Sequence, residues 1–314
     1  TNGQLSGSLF GPIVFDKVFY NMSFQVGRRS SDVQSLLAND VGSWERIGVA
    51  PDSVQRLITS LSRAGVPLTG AISPSDKQRT NASALARIDW NKSQDMTSNM
   101  VVSVRRNTSS ALFLGATAVP GHGGDETSSG ADITGNMSAY IHKNILSDLR
   151  VGAHVNHTSD DPYLKLPDAR VLVSSQLNDG STGITSLAFG GNAFLPRAVD
   201  NSGGEIFEQV SWLSEDGKHR TRVTANLRDD AFSQDQYANR RGSYFYNSIA
   251  DIDANRPASF NRTFVSHNVS SSALNSAFSL GDNWRPTART QFLYGVRVEG
   301  VRFHNDTYPR RVLE

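Results

Sequence analysis

The sequence contains no cysteine, no long hydrophobic run and almost no net charge. No window approaches the ~18 consecutive apolar residues of a membrane-spanning helix. Its 31 basic and 30 acidic residues leave a net charge of +1 at pH 7, which argues against a nucleic-acid-binding protein that relies on bulk charge. A chain of 314 residues can bury a large core, so its stability does not depend on disulfides. None of these absences excludes membrane-spanning strands, which are apolar only at every second residue.

Alternation of apolar and polar residues is the dominant pattern, and its clearest stretch is residues 131–156. Between Ala131 and Ile141 the odd positions are apolar or small and the even positions are polar, and the pattern resumes after a break at residues 143–145. Because successive side chains of a strand point to opposite faces, this stretch predicts a hairpin of two strands, each with one apolar and one polar face. Such strands exceed the usual ~5–6 residues and match the ~9–11 that a tilted strand needs to cross a bilayer.

Four more hairpins share this pattern, and the connections between strands are of two kinds. Short turns are expected at residues 16–17, 91–94, 143–145, 215–218 and 285–287, and long loops at residues 30–77, 116–130, 157–204 and 231–262. Short turns at one end of a sheet and long loops at the other are typical of an outer-membrane barrel. A soluble sandwich or propeller would keep both sets of connections short. The predicted fold is all-β: an antiparallel up-and-down transmembrane β-barrel with long extracellular loops.

About ten strands are too few for the loops they carry, and they form only part of such a barrel. An open sheet cannot sit in a bilayer, because its edge backbone groups would face lipid without partners. We therefore expect residues 1–314 to be part of one barrel domain, with both ends of the sequence internal to a larger chain.

Some segments between the hairpins carry local signals of their own. Pro51 precedes apolar residues three and four positions apart, and Gly65 follows them, which predicts a short amphipathic helix. The Asn-Asp-Gly sequence at residues 178–180 predicts a turn between two short strands. Those strands are expected at residues 171–175 and 184–189, with a helical turn at residues 249–254.

The alternation also assigns the strand residues to two faces. The apolar set is expected to face lipid: Val18, Tyr20, Met22, Ile133, Met137, Ile141, Val151, Val155, Val223, Leu227, Phe292, Tyr294 and Val296. The polar set is expected to face the lumen: Asn21, Arg87, Arg150, Arg222, Arg228, Arg297 and Glu299. An arginine facing lipid costs about 2–4 kcal/mol at the midplane, which supports this assignment. Such a lumen would contact a plug or an anionic ligand, or it would carry solvated residues and interstrand ion pairs.

No arrangement typical of catalysis or metal binding occurs in the sequence. His122, His154 and His157 do not have the spacing of metal ligands. The Gly-His-Gly-Gly stretch at residues 121–124 has no accompanying nucleophile elbow. We therefore expect no enzyme activity, no catalytic residue and no bound cofactor or metal.

Several stretches resemble one family, the TonB-dependent outer-membrane receptors of the Oar-like type, which carry a carboxypeptidase-regulatory-like domain before the plug. The stretches that carry the resemblance are residues 10–20, 86–91, 189–196, 241–245, 256–260, 282–289 and 295–299. They keep their order along nearly the whole chain, which makes them specific as a set. Phe15 departs from the pattern, since the family usually has lysine there.

The resemblance implies an outer-membrane barrel of about 22 strands that is filled by a plug domain. It also implies a partner complex, TonB-ExbB-ExbD, which would act through an N-terminal segment outside these residues. Other expected partners are outer-membrane lipid, lipopolysaccharide and an unknown extracellular ligand, but not nucleic acid. The implied function is energised uptake of a scarce nutrient such as a siderophore, glycan, peptide or cofactor. A passive porin or adhesion barrel is the alternative, and a soluble β-rich binding protein or hydrolase is a more distant one.

Overall fold

Strands dominate the computed structural model, which describes residues 1–70, 74–236, 238–264 and 267–305. The strands of these ranges are β1 (Asn2–Val14), β2 (Val18–Asp32), β3 (Asp76–Ser93), β4 (Met96–Leu112), β5 (Gly124–His142), β6 (Ile145–Pro162), β7 (Asp168–Gln176), β8 (Thr182–Gly190), β9 (Arg197–Leu213), β10 (His219–Gln236), β11 (Ser243–Tyr246), β12 (Ser259–Asn261), β13 (His267–Thr287) and β14 (Thr290–Asn305). The helices are α1 (Val41–Arg46), α2 (Pro51–Arg63) and α3 (Ile249–Asp253).

Ten of the described strands form one antiparallel sheet in the order β1-β2-β3-β4-β5-β6-β9-β10-β13-β14. Each hairpin closes through a short turn, and each hairpin joins the next through a long connection, so the short turns all lie at one end. This confirms the predicted up-and-down topology and the asymmetry of its connections. The sheet is open in the described part of the chain. Residues 71–73 and 237 of two predicted loops, and the last residues 306–314, lie outside the described ranges.

Several strands extend further than the sequence pattern predicts. The segment 124–130, expected as part of a flexible loop, is the start of β5, and its backbone pairs with both β4 and β6. The first strand begins at Asn2 instead of near residue 9, and the last turn lies at residues 288–289 instead of 285–287. The predicted strands were too short because the prediction required apolar and polar residues to alternate. Backbone pairing continues without it wherever a neighbouring strand is present, as for the start of β1 beside β2.

The strands are tilted, as closure into a barrel requires. A row of directly paired residues crosses the sheet from Val18, the first residue of β2, to Val298 of β14. Val298 lies eight residues beyond Thr290, the first residue of β14. The row therefore climbs eight residues over eight steps between neighbouring strands. With a rise of ~3.3 Å per residue and a spacing of ~4.8 Å between strands, this corresponds to a tilt of about 35°. Membrane barrels have tilts of ~35–45°.

The pairing register confirms the apolar face of the sheet. Directly paired residues of antiparallel strands point to the same side. On this criterion the predicted apolar set shares one face, apart from Ile141, which lies inside a register shift between Tyr140 and His142. On β2 the apolar run on this face lasts from Val18 to Val26. At the tilt given above it spans roughly 22 Å, close to the ~25 Å apolar band of a membrane barrel.

Aromatic residues mark the turn end of this band. Trp90, Trp212 and Trp284 lie on the apolar face near the short turns and remain exposed. His219 stacks on Trp284, with ring centroids 5.8 Å apart, and Phe292 packs against the other side at 5.5 Å. Amphipathic rings at this level are typical of the interfacial girdle of a membrane barrel.

The long connections fold together into a compact assembly at the other end of the sheet, which we call the cap. The cap contains α1, α2 and α3, the segment 113–123, and a second sheet with the order β12-β11-β7-β8. The β7–β8 hairpin, the helix after Pro51 and the helical turn at 249–254 confirm the sequence predictions. Strand β11 adds to β7 in parallel, which joins two connections that are distant in the sequence.

The cap holds the hydrophobic core of the described structure. Leu57 and Leu61 of α2 pack against Val171 of β7 and Leu187 of β8, and all four are fully buried. Pro51 is at the helix start, where its missing N–H costs nothing, and Asp52 in the first turn complements the helix dipole. No described helix is both long enough and apolar enough to cross a bilayer. The ten-stranded sheet, by contrast, leaves most large apolar side chains of its apolar face exposed.

Candidate ligand-facing site

The polar face of the ten-stranded sheet collects the charged residues that the sequence pattern singled out. One row of paired residues runs from Arg87 through Thr134 and Glu205 to Arg228. Another row joins Arg150 to Glu299 through β9, β10 and β13. Arg222 and Arg297 follow the same alternation on their strands. All six candidate residues therefore lie on one face, opposite the apolar band.

Three of the candidate arginines are already neutralised by an acid two positions further along the same strand. Arg87 binds Asp89 at 2.6 Å, Arg228 binds Asp230 at 2.7 Å, and Arg297 binds Glu299 at 3.0 Å. Residues two apart on a strand point to the same side, which brings these charges together. The sequence pattern led us to expect interstrand ion pairs, whereas these three pairs lie within single strands.

Three other arginines of this face differ in the contacts that they make. Arg105 of β4 does form an interstrand pair, binding Asp132 of β5 at 2.6 Å, and it also hydrogen-bonds Asn156. The guanidinium of Arg150 lies 5.4 Å from the ring centroid of Phe207, in cation–π contact. Arg222 is exposed, and within the described ranges it has no ion-pair partner.

Polar side chains also bridge neighbouring strands across this face. Asn136 donates to Asn99 at 3.0 Å, Ser138 to Asp148 at 2.6 Å, and Asn226 to Glu205 at 2.6 Å. Each bridge joins two strands and contributes about 0.2–1 kcal/mol. The polar face is thus a surface on which side chains of neighbouring strands are hydrogen-bonded to one another.

Glu208 departs from the two-face pattern and was not singled out from the sequence. It lies on the apolar face between Ile206 and Val210. The hydroxyl of Ser147 on the neighbouring strand donates to its carboxylate at 2.6 Å. Glu208 thus lies on the face that the alternation assigns to lipid, and its carboxylate accepts a hydrogen bond from a serine of the neighbouring strand.

A buried polar centre lies where the cap meets the sheet. His122 Nδ1 is 3.6 Å from Asp168 Oδ1, and both side chains are more than nine-tenths buried. The amide of Asn192 lies 3.4 Å from the other ring nitrogen of His122 and donates to the His122 carbonyl. Nearby, Arg197 binds the buried carboxylate of Asp160 at 2.7 Å. The contacts of His122 join two long connections, residues 113–123 and 163–196, and the Arg197–Asp160 pair joins β6 to β9 beside them.

Burial sets the protonation of this centre. Removal from water lowers the pKa of His122 and raises the pKa of Asp168. Each residue opposes the shift of the other, since an imidazolium and a carboxylate attract each other. Beside them, burial and the Asp125 carboxylate raise the pKa of Tyr163, whose hydroxyl donates to Asp125 at 2.5 Å.

Sequence reasoning missed the polar centre because its members are far apart in the chain. His122 was considered as a metal ligand and as part of the Gly-His-Gly-Gly stretch without a nucleophile elbow, and residues 189–196 only as a family-like loop. The signal that could have found the centre is the Gly-rich context of both segments. A Cβ on Gly191 would lie 2.0 Å from the Leu166 carbonyl, and a Cβ on Gly124 would lie 2.4 Å from the Asp161 carbonyl. These glycines permit a close approach of backbones that other residues would block.

Acidification from pH 7.5 to about 5.5 is expected to destabilise the cap. In the unfolded chain His122 takes up a proton as the pH falls through about 6.5, whereas burial holds its native pKa lower. The unfolded state then binds more protons, so stability falls with the pH, by at most about 1.4 kcal/mol per unit. The raised pKa of Asp168 opposes this loss at lower pH, where the native state binds a proton first.

Hydrogen exchange of cap amides such as those of Val171 and Leu187 measures this effect. The His122→Gln variant, which cannot titrate in this range, should lose the pH dependence while the amides of β5 and β6 remain protected. An equal pH slope in the variant and the unmodified protein would contradict the assignment to His122.

Comparisons with known proteins agree with this architecture. A family model described as an outer membrane beta barrel domain matches residues 49–310. No curated protein matches the sequence. Among solved structures, the pyoverdine outer membrane receptor FpvA from Pseudomonas aeruginosa aligns with a TM-score of 0.58 at 9% identity, covering 98% of this chain and 40% of that one.

Two further structures are similar in the same way. The outer membrane transporter YddB from Escherichia coli has a TM-score of 0.54 at 11% identity, over 96% of this chain and 34% of that one. A mutant of the ferric enterobactin receptor PfeA from Pseudomonas aeruginosa has a TM-score of 0.50 at 12% identity, over 97% of this chain and 38% of that one. This chain thus spans well under half the length of each of these three proteins, and at such identities the likeness shows the fold alone. The family match covers most of the sequence, and the chain belongs to the outer-membrane β-barrel family, located in the outer membrane.

Proposed function

We propose that this chain forms part of the barrel of a TonB-dependent outer-membrane receptor of the Oar-like type, which imports a scarce nutrient. The observation that carries the proposal is the cap. The long connections build a packed domain with its own core over one end of the sheet. A receptor needs such a surface at its extracellular end to select a ligand, whereas a general diffusion pore has no use for a preformed binding domain.

The size of the sheet supports the same proposal. Ten strands are slightly under half of the ~22 strands of the outer-membrane transporters, which hold a plug in the lumen. The similar solved proteins include a receptor bound to pyoverdine and a ferric enterobactin receptor. By analogy we assign this barrel an extracellular ligand and energy from TonB-ExbB-ExbD, through a segment outside these residues.

The hydrogen-bonded polar face supports a role in holding a plug. We assign Arg87, Arg150, Arg222, Arg228, Arg297 and Glu299 to the lumen. Because three of these arginines are paired with acids on their own strands, they offer little free positive charge to an anionic ligand. They offer instead a surface of alternating donors and acceptors, which suits hydrogen bonding to a plug or to water.

The experiment compares this proposal with a passive porin. The complete protein, purified in detergent, is inserted into planar bilayers in KCl and is also passed over immobilised periplasmic domain of TonB. We expect retention by TonB and no steady conductance until urea loosens the plug. Steady open-channel conductance without urea, together with no retention by TonB, would establish the porin alternative.

A further inference from the structure

An apolar groove of about 480 Å³ crosses the lipid-facing side of β1 to β4. Its floor is Ala84 and Ala86 of β3, and its walls are Met22 and Phe24 on one side and Val102 and Val104 on the other. The volume is within the range of small-molecule sites. The register places all six side chains on the apolar face of the sheet.

Two glycines of β1 explain why the groove is open. A Cβ on Gly7 would lie 2.7 Å from the ring of Phe24, so that ring rests over the glycine. The ring of Tyr20 lies in the same way over Gly11, at 3.5 Å from the position of a Cβ. Both aromatic side chains of β2 therefore lean toward β1. They lean away from the alanines of β3, which are left uncovered.

Two arginines stand above the groove, on the side of the cap. Arg28 of β2 and Arg106 of β4 are exposed and belong to the same outward face. Arg28 donates one hydrogen bond to Gln78 at 2.6 Å, and its guanidinium has four further N–H donors. Arg28 follows Val26 by two positions, and Arg106 follows Val104 by two, so both lie at the upper boundary of the apolar band. Ladder spacing puts their Cα atoms roughly 12 Å apart, which allows both long side chains to reach one phosphate group.

This basic pair is local to the groove. At the same boundary on β6 and β9, His157 is bound to Asp200 at 2.7 Å. Further around the sheet the outward residues of one paired row at this boundary are Asp229 of β10, an acid, and Arg302 of β14, a single cation. Positive charge and an open apolar groove thus coincide on β2 to β4.

We propose that this groove binds lipid A, the phosphorylated and acylated glycolipid of the outer leaflet. An acyl chain lies along Ala84 and Ala86, and a phosphate lies between Arg28 and Arg106. Charge complementarity selects the occupant, because both cations are at the level where the headgroups of the outer leaflet begin. Arginine binds phosphate through several charge-assisted hydrogen bonds. The inference rests on the outer-membrane placement and on the extracellular position of the cap that the proposed function assigns, and it holds whether the barrel is a receptor or a porin.

The test uses the complete protein, extracted from outer membranes in detergent and stripped of lipid. Purified lipid A is added back, and bound lipid is counted by native mass spectrometry. The Arg28→Gln/Arg106→Gln double variant should bind lipid A about tenfold more weakly or worse, the loss expected when a phosphate loses its cations. Ala84→Phe, which fills the groove and leaves both arginines in place, should weaken binding to a similar degree.

Matched controls separate this site from general lipid contact. Arg302→Gln removes an outward cation at the end of β14, and Ala153→Phe adds a ring to the outward face of β6; neither should change binding. Dephosphorylated lipid A should bind the unmodified protein as weakly as lipid A binds the double variant. Equal lipid A binding by all variants would overturn the proposal, as would phosphatidylglycerol binding as tightly as lipid A.

Discussion

The Ile133→Arg variant will fail to accumulate as a folded barrel in the outer membrane. Ile133 lies in the middle of the outward face of β5, between Val102 on β4 and Ala153 on β6. An arginine facing lipid near the midplane costs about 2–4 kcal/mol. That is a large share of the ~5–15 kcal/mol by which typical proteins are stable. Heat modifiability on gels, which reports the folded barrel, should show mostly unfolded protein.

The neighbouring Thr134→Arg variant is the matched control for this prediction. Thr134 lies on the polar face of the same strand, and its partner Gly152 leaves room for a longer side chain. We expect this variant to reach the membrane in near-normal amounts. If both variants fold equally well, or if only Thr134→Arg fails, the assignment of the two faces is wrong.

Residues 1–314 expressed alone without detergent will aggregate. Strands β1 and β14 are free edges in the described sheet, and each offers a row of unpaired backbone groups to another copy. Large apolar side chains such as Phe24, Phe278 and Val298 are exposed on one face. That surface far exceeds the few hundred Å² of contiguous apolar patch that soluble monomers tolerate.

The cap does not rescue solubility, because its core packs upon itself and leaves the apolar face of the sheet uncovered. Sedimentation and size-exclusion chromatography measure the outcome. The control is the complete gene product, which should give a heat-modifiable monomer in detergent. A compact, detergent-free monomer of residues 1–314 with one cooperative unfolding transition would mean a soluble β-protein.

The ten-stranded sheet was predictable because it obeys one local rule. Alternation in stretches such as residues 131–156 specifies both the strand and its faces, and short turns specify antiparallel neighbours. The rule fails where the strands leave the bilayer. There the residues of β5 from Gly124 to Gly130 need no apolar face, and pairing with neighbouring strands alone keeps them extended.

The cap was predictable only in pieces. Helix α2 and the β7–β8 hairpin carry local signals, and both form as expected. Their assembly depends on contacts between distant segments, such as the core that Leu57 and Val171 share, or the contact of His122 with Asp168. Nothing in the local sequence specifies such pairs. The ion pairs of the polar face are a different case, since alternation places Arg228 and Asp230 on the same face of one strand, and the prediction missed the pair because it looked for partners on neighbouring strands.

The central claim is that one face of the sheet meets lipid and the other meets the lumen, and single-cysteine scanning tests it most directly. Residues 1–314 contain no cysteine, so each introduced thiol is the sole site of labelling once any cysteine elsewhere in the complete protein has been replaced by serine. Cysteines at positions 223 to 228 of β10, in the complete protein in liposomes, are labelled with a fluorophore and exposed to brominated lipid or to aqueous iodide. We predict quenching by lipid at 223, 225 and 227 and by iodide at 224, 226 and 228. Quenching without a period of two, or with the two faces exchanged, would contradict the account.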